Sequence, residues 1–274
     1  MKNGRHLRHA IVLLVGLSLA ACVAPPRVAP DVSNPIRTVA VLPFVNNTND
    51  VDGPMYVRTL FATELERHQY VVKSQAEVDQ ILKDQMSVTL GKQLDMTTPK
   101  QLGETLGVDG VIFGSLDDFN HLMTGVYNVK KVRVRTKLVN CKTGQTVWRN
   151  GIGVKSAMST GNAGAAITAV SAVSDAKAAG DDLQPLLGDA IAAPWFELPP
   201  IVVGQDKGSD YGIAFAAALG ERIATRAMKA PLPVESNAAV GILLNGTWHD
   251  GNWQHQPVRV GSGGIPAGPG GLGK

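Results

Sequence analysis

Within the stretch Lys130 to Asn140 the chain alternates between basic side chains and apolar or small ones, strictly so from Lys131 to Leu138. Successive side chains of a strand leave on opposite faces, so Val132, Val134, Thr136 and Leu138 share one face while Lys131, Arg133, Arg135 and Lys137 share the other. A helix would scatter both sets around its axis, so the stretch reads as a half-buried strand. Lys142-Thr143-Gly144 then reverses the chain, with glycine where a positive φ is needed. The stretch Gln145 to Val154 completes a hairpin, and any fold for this chain has to cover one of its faces.

The elements around the hairpin set the fold class. Residues 36–45 (IRTVAVLPFV) form a β-branched apolar run, the pattern of a buried first strand. A polar loop, Asn46 to Asp50, leads through Gly53-Pro54 into a helix with Val57, Leu60, Phe61 and Leu65 on one side, ending near His68. Tyr70 to Lys73 is a short strand. Ser74 and Glu77 form a capping box before a helix carrying Val78, Ile81 and Leu82. Thr98-Pro99 with Gln101 opens another helix that Gly107 closes, and Val108 to Leu116 is the next buried strand. Strands alternating with helices, followed by a hairpin, predict an α/β domain with a mixed sheet over residues 36–231. Within it, residues 157–208 are an Ala/Gly-rich insertion, with a small-residue helix over Ala163 to Val173. A last helix runs from about Gly212 to Met228, stopped by Pro231 and Pro233. Residues 232–274 read as a flexible tail, disordered from residue 250 onwards.

The amino terminus fixes the compartment. Lys2, Arg5 and Arg8 precede an uncharged apolar run, Ala10 to Ala21, the form of a secretory signal. At roughly 1.5 Å per residue that run is too short for the ~30 Å core of a bilayer. Leu19-Ala20-Ala21-Cys22 resembles the lipobox of bacterial lipoproteins. The resemblance implies cleavage between Ala21 and Cys22, lipid on the Cys22 sulfur and an acylated (palmitate-type) amine. With Val23 next, it also implies sorting to the outer membrane, facing the periplasm. Residues 22–35 then read as a proline-rich tether. The chain carries 26 Lys+Arg against 23 Asp+Glu, and Lys2, Arg5 and Arg8 account for the whole excess, so nothing points to nucleic acid. With Cys22 lipidated, Cys141 has no partner for an intramolecular disulfide and reads as a strand-end filler. Cofactors other than the covalent lipid on Cys22 are not expected.

Catalytic signatures are sparse. No H-E-x-x-H, G-x-S-x-G or P-loop pattern occurs. Ser174-Asp175-Ala176-Lys177 and Lys142-Thr143-Gly144 match S-x-x-K and K-T-G of penicillin-binding enzymes, but in reversed order, and the second is explained by the turn. His249 and His255 lack a third metal ligand; a tail docking on the domain is the preferred reading. An enzyme would have to build on scattered groups such as Asp117 and His121. The partner-binding candidates are Asn46, Asn47 and Thr48, at the end of the first strand where α/β sheets place ligands, and the row Lys131, Arg133, Arg135. The bland readings are a helix-capping loop and a solvated strand face whose lysines discourage edge pairing.

Several segments together resemble a known group. Val39-Ala40-Val41-Leu42-Pro43-Phe44 with Asn46-Asn47-Thr48 is similar to the opening of the TolB amino-terminal domain and CsgG-type lipoproteins. Val78 to Gln85, Leu102 to Ser115 and Leu138 to Trp148 resemble their second helix, helix–strand segment and V-D-x-K-T-G hairpin, in the same order. The branch resembled comprises envelope lipoproteins without assigned function. The resemblance implies a single α/β domain that self-associates, anchored to the membrane through its lipid. It implies a non-enzymatic adaptor or accessory subunit, for transport or secretion, with an unidentified envelope protein partner. Regulation of peptidoglycan synthesis, as in LpoB-like lipoproteins, and a CsgG-like secretion pore are the alternatives; a coat protein is a third. A pore needs alternating strands of about nine to eleven residues, and lipid-facing charges cost ~2–4 kcal/mol each at the midplane. Only Lys130–Asn140 shows that alternation in sequence, and its row is cationic, so the pore is set aside.

Overall fold

A computed structural model describes residues 29–123, 127–160, 183–198, 201–203, 232–249 and 252–263. Ala21, Cys22, the Ala163–Val173 segment and the helix expected over 212–228 lie outside the described residues. In chain order the elements are β1 (Thr38–Val41), β2 (Val45–Asn46), α1 (Gly53–Arg67), β3 (Val71–Val72), α2 (Gln75–Met86), a 3-10 helix (Gly91–Met96) and α3 (Pro99–Leu106). There follow β4 (Gly110–Met123), β5 (Tyr127–Asn140), β6 (Thr146–Thr160), β7 (Leu183–Leu186), β8 (Asp189–Ala192), β9 (Trp195–Glu197), β10 (Ile201–Val203), α4 (Pro233–Asn245), β11 (Thr247–His249) and β12 (Asn252–His255).

The main sheet runs β10-β6-β5-β4-β1-β3, with β2 also on β4 and β9 also on β6. Strand β1 pairs parallel with β3 and β4, whereas β4, β5 and β6 form an antiparallel meander. The fold is the mixed α/β sheet that the sequence predicts. Strand β1 is buried on both faces, because Val39 and Val41 point into one core and Ala40 and Leu42 into the other. The first core lies under α1 and α4 and gathers Val57, Phe61, Leu65, Ile112, Val134, Leu138, Trp148, Ile152 and Leu243. The second lies under α2, the 3-10 helix, α3 and the β7–β8 hairpin, with Val78, Leu82, Leu102, Val111, Phe113, Val139 and Cys141. Fully burying each such aliphatic or aromatic side chain contributes ~1.5–3 kcal/mol.

Local signals hold in most places. Thr98 and Gln101 close a reciprocal capping box, and Gly107 takes the left-handed conformation that ends α3. Gly144 takes φ 70° in the turn between β5 and β6. At α2, however, Ser74 makes no side-chain cap bond, and Glu77 reaches back to Lys73 instead, at 2.6 Å.

Two expectations need correction. The strands exceed their sequence-based bounds: β4, β5 and β6 have 14, 14 and 15 residues. The residues expected to form a flexible tail include α4, which buries Ala239, Val240, Leu243 and Leu244, and a segment that fixes Val258 in the same core. Pro233 sits in the first turn of α4, where its missing N–H costs nothing, so it opens a helix rather than only ending one. Of residues 252–263, expected to be disordered, Asn252–His255 pair as β12, and Gly261 and Gly263 fasten the bend between α1 and β3, Gly261 N–H donating to the His68 carbonyl and Gly263 N–H to that of Gln69.

Candidate interaction surface

The polar loop after β2 is tied inward. Asn46 Oδ1 accepts from the Thr48 N–H and hydroxyl, and its amide donates to the Asp50 carbonyl. Asp50 Oδ1 accepts from the Asp52 and Gly53 N–H groups, holding the start of α1. Asn46 and Thr48 therefore stabilise the loop itself, while Asn47 points across to β4, its amide donating to Asp117 Oδ1 at 2.7 Å.

Asp117 sits at an irregularity in the β4–β5 ladder, between Leu116 and Asp118. Such a bulge re-aims one side chain out of the alternation. Its second oxygen pairs with the Arg135 guanidinium and also accepts from the Ser115 hydroxyl at 3.2 Å. Arg135 Nε donates in turn to the Ile191 carbonyl at 2.8 Å. The loop and the basic row, independent in sequence, thus meet through one carboxylate. The sequence signal for it was weak, since nothing around Asp117 distinguishes it from its neighbour Asp118.

The basic row is not the solvated face expected. Arg135 is 0% exposed and Lys137 5%, because β7, β8 and β9 lie over and beside them. Lys137 donates to the Leu187 carbonyl and to Asp189, and Asp189 also accepts from Thr146. The Lys137 contact, first of all, holds the Asp189 carboxyl below its ordinary range. Arg133 and Lys131 lie 4.4 and 5.3 Å from the centre of the Trp195 ring. That ring reaches them across Gly153, where a Cβ would stand 2.5 Å from a ring carbon. Nor does the row discourage edge pairing, since β5 is an interior strand. The physical reason for the miss is that a charged stripe is compatible with burial whenever a later segment brings acids and carbonyls to it.

One open cleft of about 710 Å³ lies between the 3-10 helix and the β7–β8 hairpin, with Phe113, Lys137 and Val139 among its lining. Of its charged groups, Lys137 and Asp189 pair with each other, and Asp95 on the 3-10 helix is the third. Among the described residues no group of three His, Cys, Asp or Glu side chains converges as metal ligands would. Asp117, at the β4 bulge, is engaged by Arg135, while His121, four residues further along the strand, is level with Lys130. Cys141 is buried, and burial pushes its thiol up to about 11, consistent with a packing role.

The strand-length objection to a pore does not survive, since three adjacent strands exceed the required length. The charge objection changes its ground. Lys131 and Lys155 lie on one face of the far part of the sheet and Lys130 on the other, so neither face offers an apolar band.

The chain is similar to several solved structures. The crystal structure of lipoprotein GNA1162 from Neisseria meningitidis is 23% identical, covering 52% of this chain and 98% of that one, with a TM-score of 0.42. A PelC dodecamer from Paraburkholderia phytofirmans is 15% identical over 44% of this chain and 74% of that one, TM-score 0.30. The LpoB C-terminal domain from Salmonella enterica is 15% identical over 51% of this chain and 91% of that one, TM-score 0.30. No curated protein matches the sequence. Residues 31–182, more than half of the chain, match the family model described as "Putative lipoprotein GNA1162-like". The chain belongs to the GNA1162-like lipoprotein family.

Proposed function

We propose that this protein is a lipid-anchored envelope lipoprotein, held through Cys22 in the outer membrane and facing the periplasm. It acts as a non-enzymatic adaptor or accessory subunit that associates with itself and with an envelope protein of a transport or secretion system. Family membership supports the lipoprotein part of this reading. The observation that carries the adaptor part is the polarity of the sheet. The chain from the anchor enters at Asp31–Asn34, fastened to Gly261 and Val260 beside the starts of β1 and β4. Strand β4 then runs away from that end for 14 residues, about 45 Å at ~3.3 Å per residue. The Asn47–Asp117–Arg135 junction lies midway along it, and Met123 at its far end. An anchored domain so built holds its far end out from the membrane, where a partner can reach it.

The test is crosslinking in cells, followed by mass spectrometry of what co-purifies from the envelope. A transporter or secretion subunit recovered with the wild type, and lost with Cys22→Ser, is the expected result. A peptidoglycan synthase in its place would move the protein to the regulatory alternative. Recovery of copies of this chain alone would remove the adaptor role.

A further inference from the structure

We infer that the open cleft between the 3-10 helix and the β7–β8 hairpin seats an extended peptide segment of a partner protein. The segment brings a basic side chain to Asp95 and an apolar side chain to the floor of the cleft. This deepens the adaptor reading and rests on it.

The cleft has two walls and a floor. One wall is the 3-10 helix with the start of α3, carrying Asp95, Thr97 and Pro99; the other is the β7–β8 turn, carrying Leu187 and Asp189. Phe113 of β4 and Val139 of β5, both buried, give it an apolar floor. Gly144 and Gly188 also line it, and a Cβ on either would meet nothing within 4 Å. The volume of about 710 Å³ is in the range of small-ligand sites. Such sites enclose most of their ligand, however, whereas this one stays open at both turns. An open trough of that size suits a few residues of a chain that passes through it.

The polar groups of the cleft are spent unequally. Lys137 Nζ lies 5.6 Å from the centre of the Phe113 ring and gives two of its three N–H groups to the Leu187 carbonyl and Asp189. The Thr146 hydroxyl donates to Asp189 and the Thr97 hydroxyl to the Leu94 carbonyl, so both oxygens keep acceptor capacity. Asp189 is met by Lys137, Thr146 and, at 3.5 Å, Arg149. Asp95 is exposed, and among the described residues no cation pairs with it. The exposed Lys100 faces Glu104 instead, at 4.0 Å. An occupant therefore finds one N–H, two hydroxyl acceptors and a whole carboxylate. That set calls for donors and a positive charge. The N–H and C=O groups of an extended backbone suit the hydroxyls and Lys137, and a Lys or Arg side chain suits Asp95. An acidic segment would stand against Asp95 with only the last Lys137 N–H to offset it.

The test selects random heptapeptides displayed on phage against the full chain in detergent, and in parallel against Asp95→Lys. Asp95 is exposed, so the variant should keep the urea midpoint of the wild type. Sequences selected on the wild type are expected to pair Lys or Arg with an apolar residue. A synthetic copy of one should bind Asp95→Lys about tenfold more weakly, an attraction exchanged for a repulsion of similar size. It should also shift the amide resonances of Gly144 and Gly188. Acidic sequences, no enrichment, equal binding by Asp95→Lys, or shifts only elsewhere would each overturn the inference. In cells, an envelope partner crosslinked to the wild type should be lost with Asp95→Lys. A partner retained by that variant would overturn the cleft as its seat and leave the adaptor role standing. Self-association lost with Asp95→Lys would make the occupant a second copy and overturn the foreign segment. Basic peptides selected on the cleft, with no partner crosslinked in cells, would sink the adaptor role and leave the peptide site in place.

Discussion

Strand β5 is buried on both faces, by two different chemistries. On one face Val132, Val134 and Leu138 meet the aliphatic and aromatic side chains of α1 and α4. On the other, Arg135 and Lys137 are covered by strands that bring them Asp117, Asp189 and the carbonyls of Ile191 and Leu187. The apolar face gains stability from burial itself. The ionic face owes its order to complete pairing, because removing charge from water costs several kcal/mol per ion and only good geometry offsets it. The apolar face should therefore tolerate partial loss, and the ionic face should fail when one partner is removed.

The sharpest way to break this contrast is to strip Asp117. Asp117→Ala leaves the Arg135 guanidinium buried without its carboxylate, and the expected loss is ~3–5 kcal/mol in urea unfolding. Replacing both partners, Asp117→Leu with Arg135→Met, should cost far less than the single change. Equal losses from the single and the double change would mean that the ion pair is not what organises this face. On the apolar face Leu243→Ala, at a fully buried position of α4, is expected to cost ~2–4 kcal/mol with an unchanged urea slope. There the loss is volume rather than pairing, so truncating a second apolar side chain beside it should add to the loss rather than offset it. Gly153→Ala should cost ~1–3 kcal/mol, since its methyl displaces the Trp195 ring from Arg133. The change in tryptophan fluorescence would report that displacement directly.

The same contrast separates what was legible in the sequence from what was not. The period-two pattern of Lys131 to Leu138 assigned every side chain to its face, because strand geometry is local. Whether the charged face was wet depended on Asp117, ahead of it in the chain, and on Asp189, far behind it in a segment read only as Ala/Gly-rich. Long-range pairing leaves no local signal. The capping box at Thr98 was readable because all its partners lie within one turn. At α4 the signal was present, Pro233 in the first turn with Glu235 following and Val240 and Leu244 one turn apart, but the proline was read only as a stop. The candidate residues Asn47 and Arg135 were picked for separate reasons, and only the bulge at Asp117 joins them.

An ion pair in water completes the comparison. Arg259 meets Asp31 at 2.6 Å with the two side chains 54% and 31% exposed, against 1% and 6% for Arg135 and Asp117. Hydrogen bonds from Arg259 and then Ser33 lower the Asp31 carboxyl from 3.8 to about 2. A carboxylate held low in the folded state stabilises it fully above the unfolded value and loses that contribution as pH falls through the folded value. The contribution of Asp31 is therefore complete above about pH 4 and fades towards pH 2. Because the pair is solvated, only the local clasp should respond, namely the Asp31 N–H bonded to Gly261 and the Gly261 N–H bonded to His68. Hydrogen exchange at those two amides, taken relative to the intrinsic rate at each pH, is expected to quicken across that window while the β5 amides stay protected. Arg259→Met should show the quickened exchange already at neutral pH. If the β5 amides lost protection in step with the clasp, the exposed pair would be coupled to the buried one. The distinction between a solvated contact and a buried one would then fail for this protein.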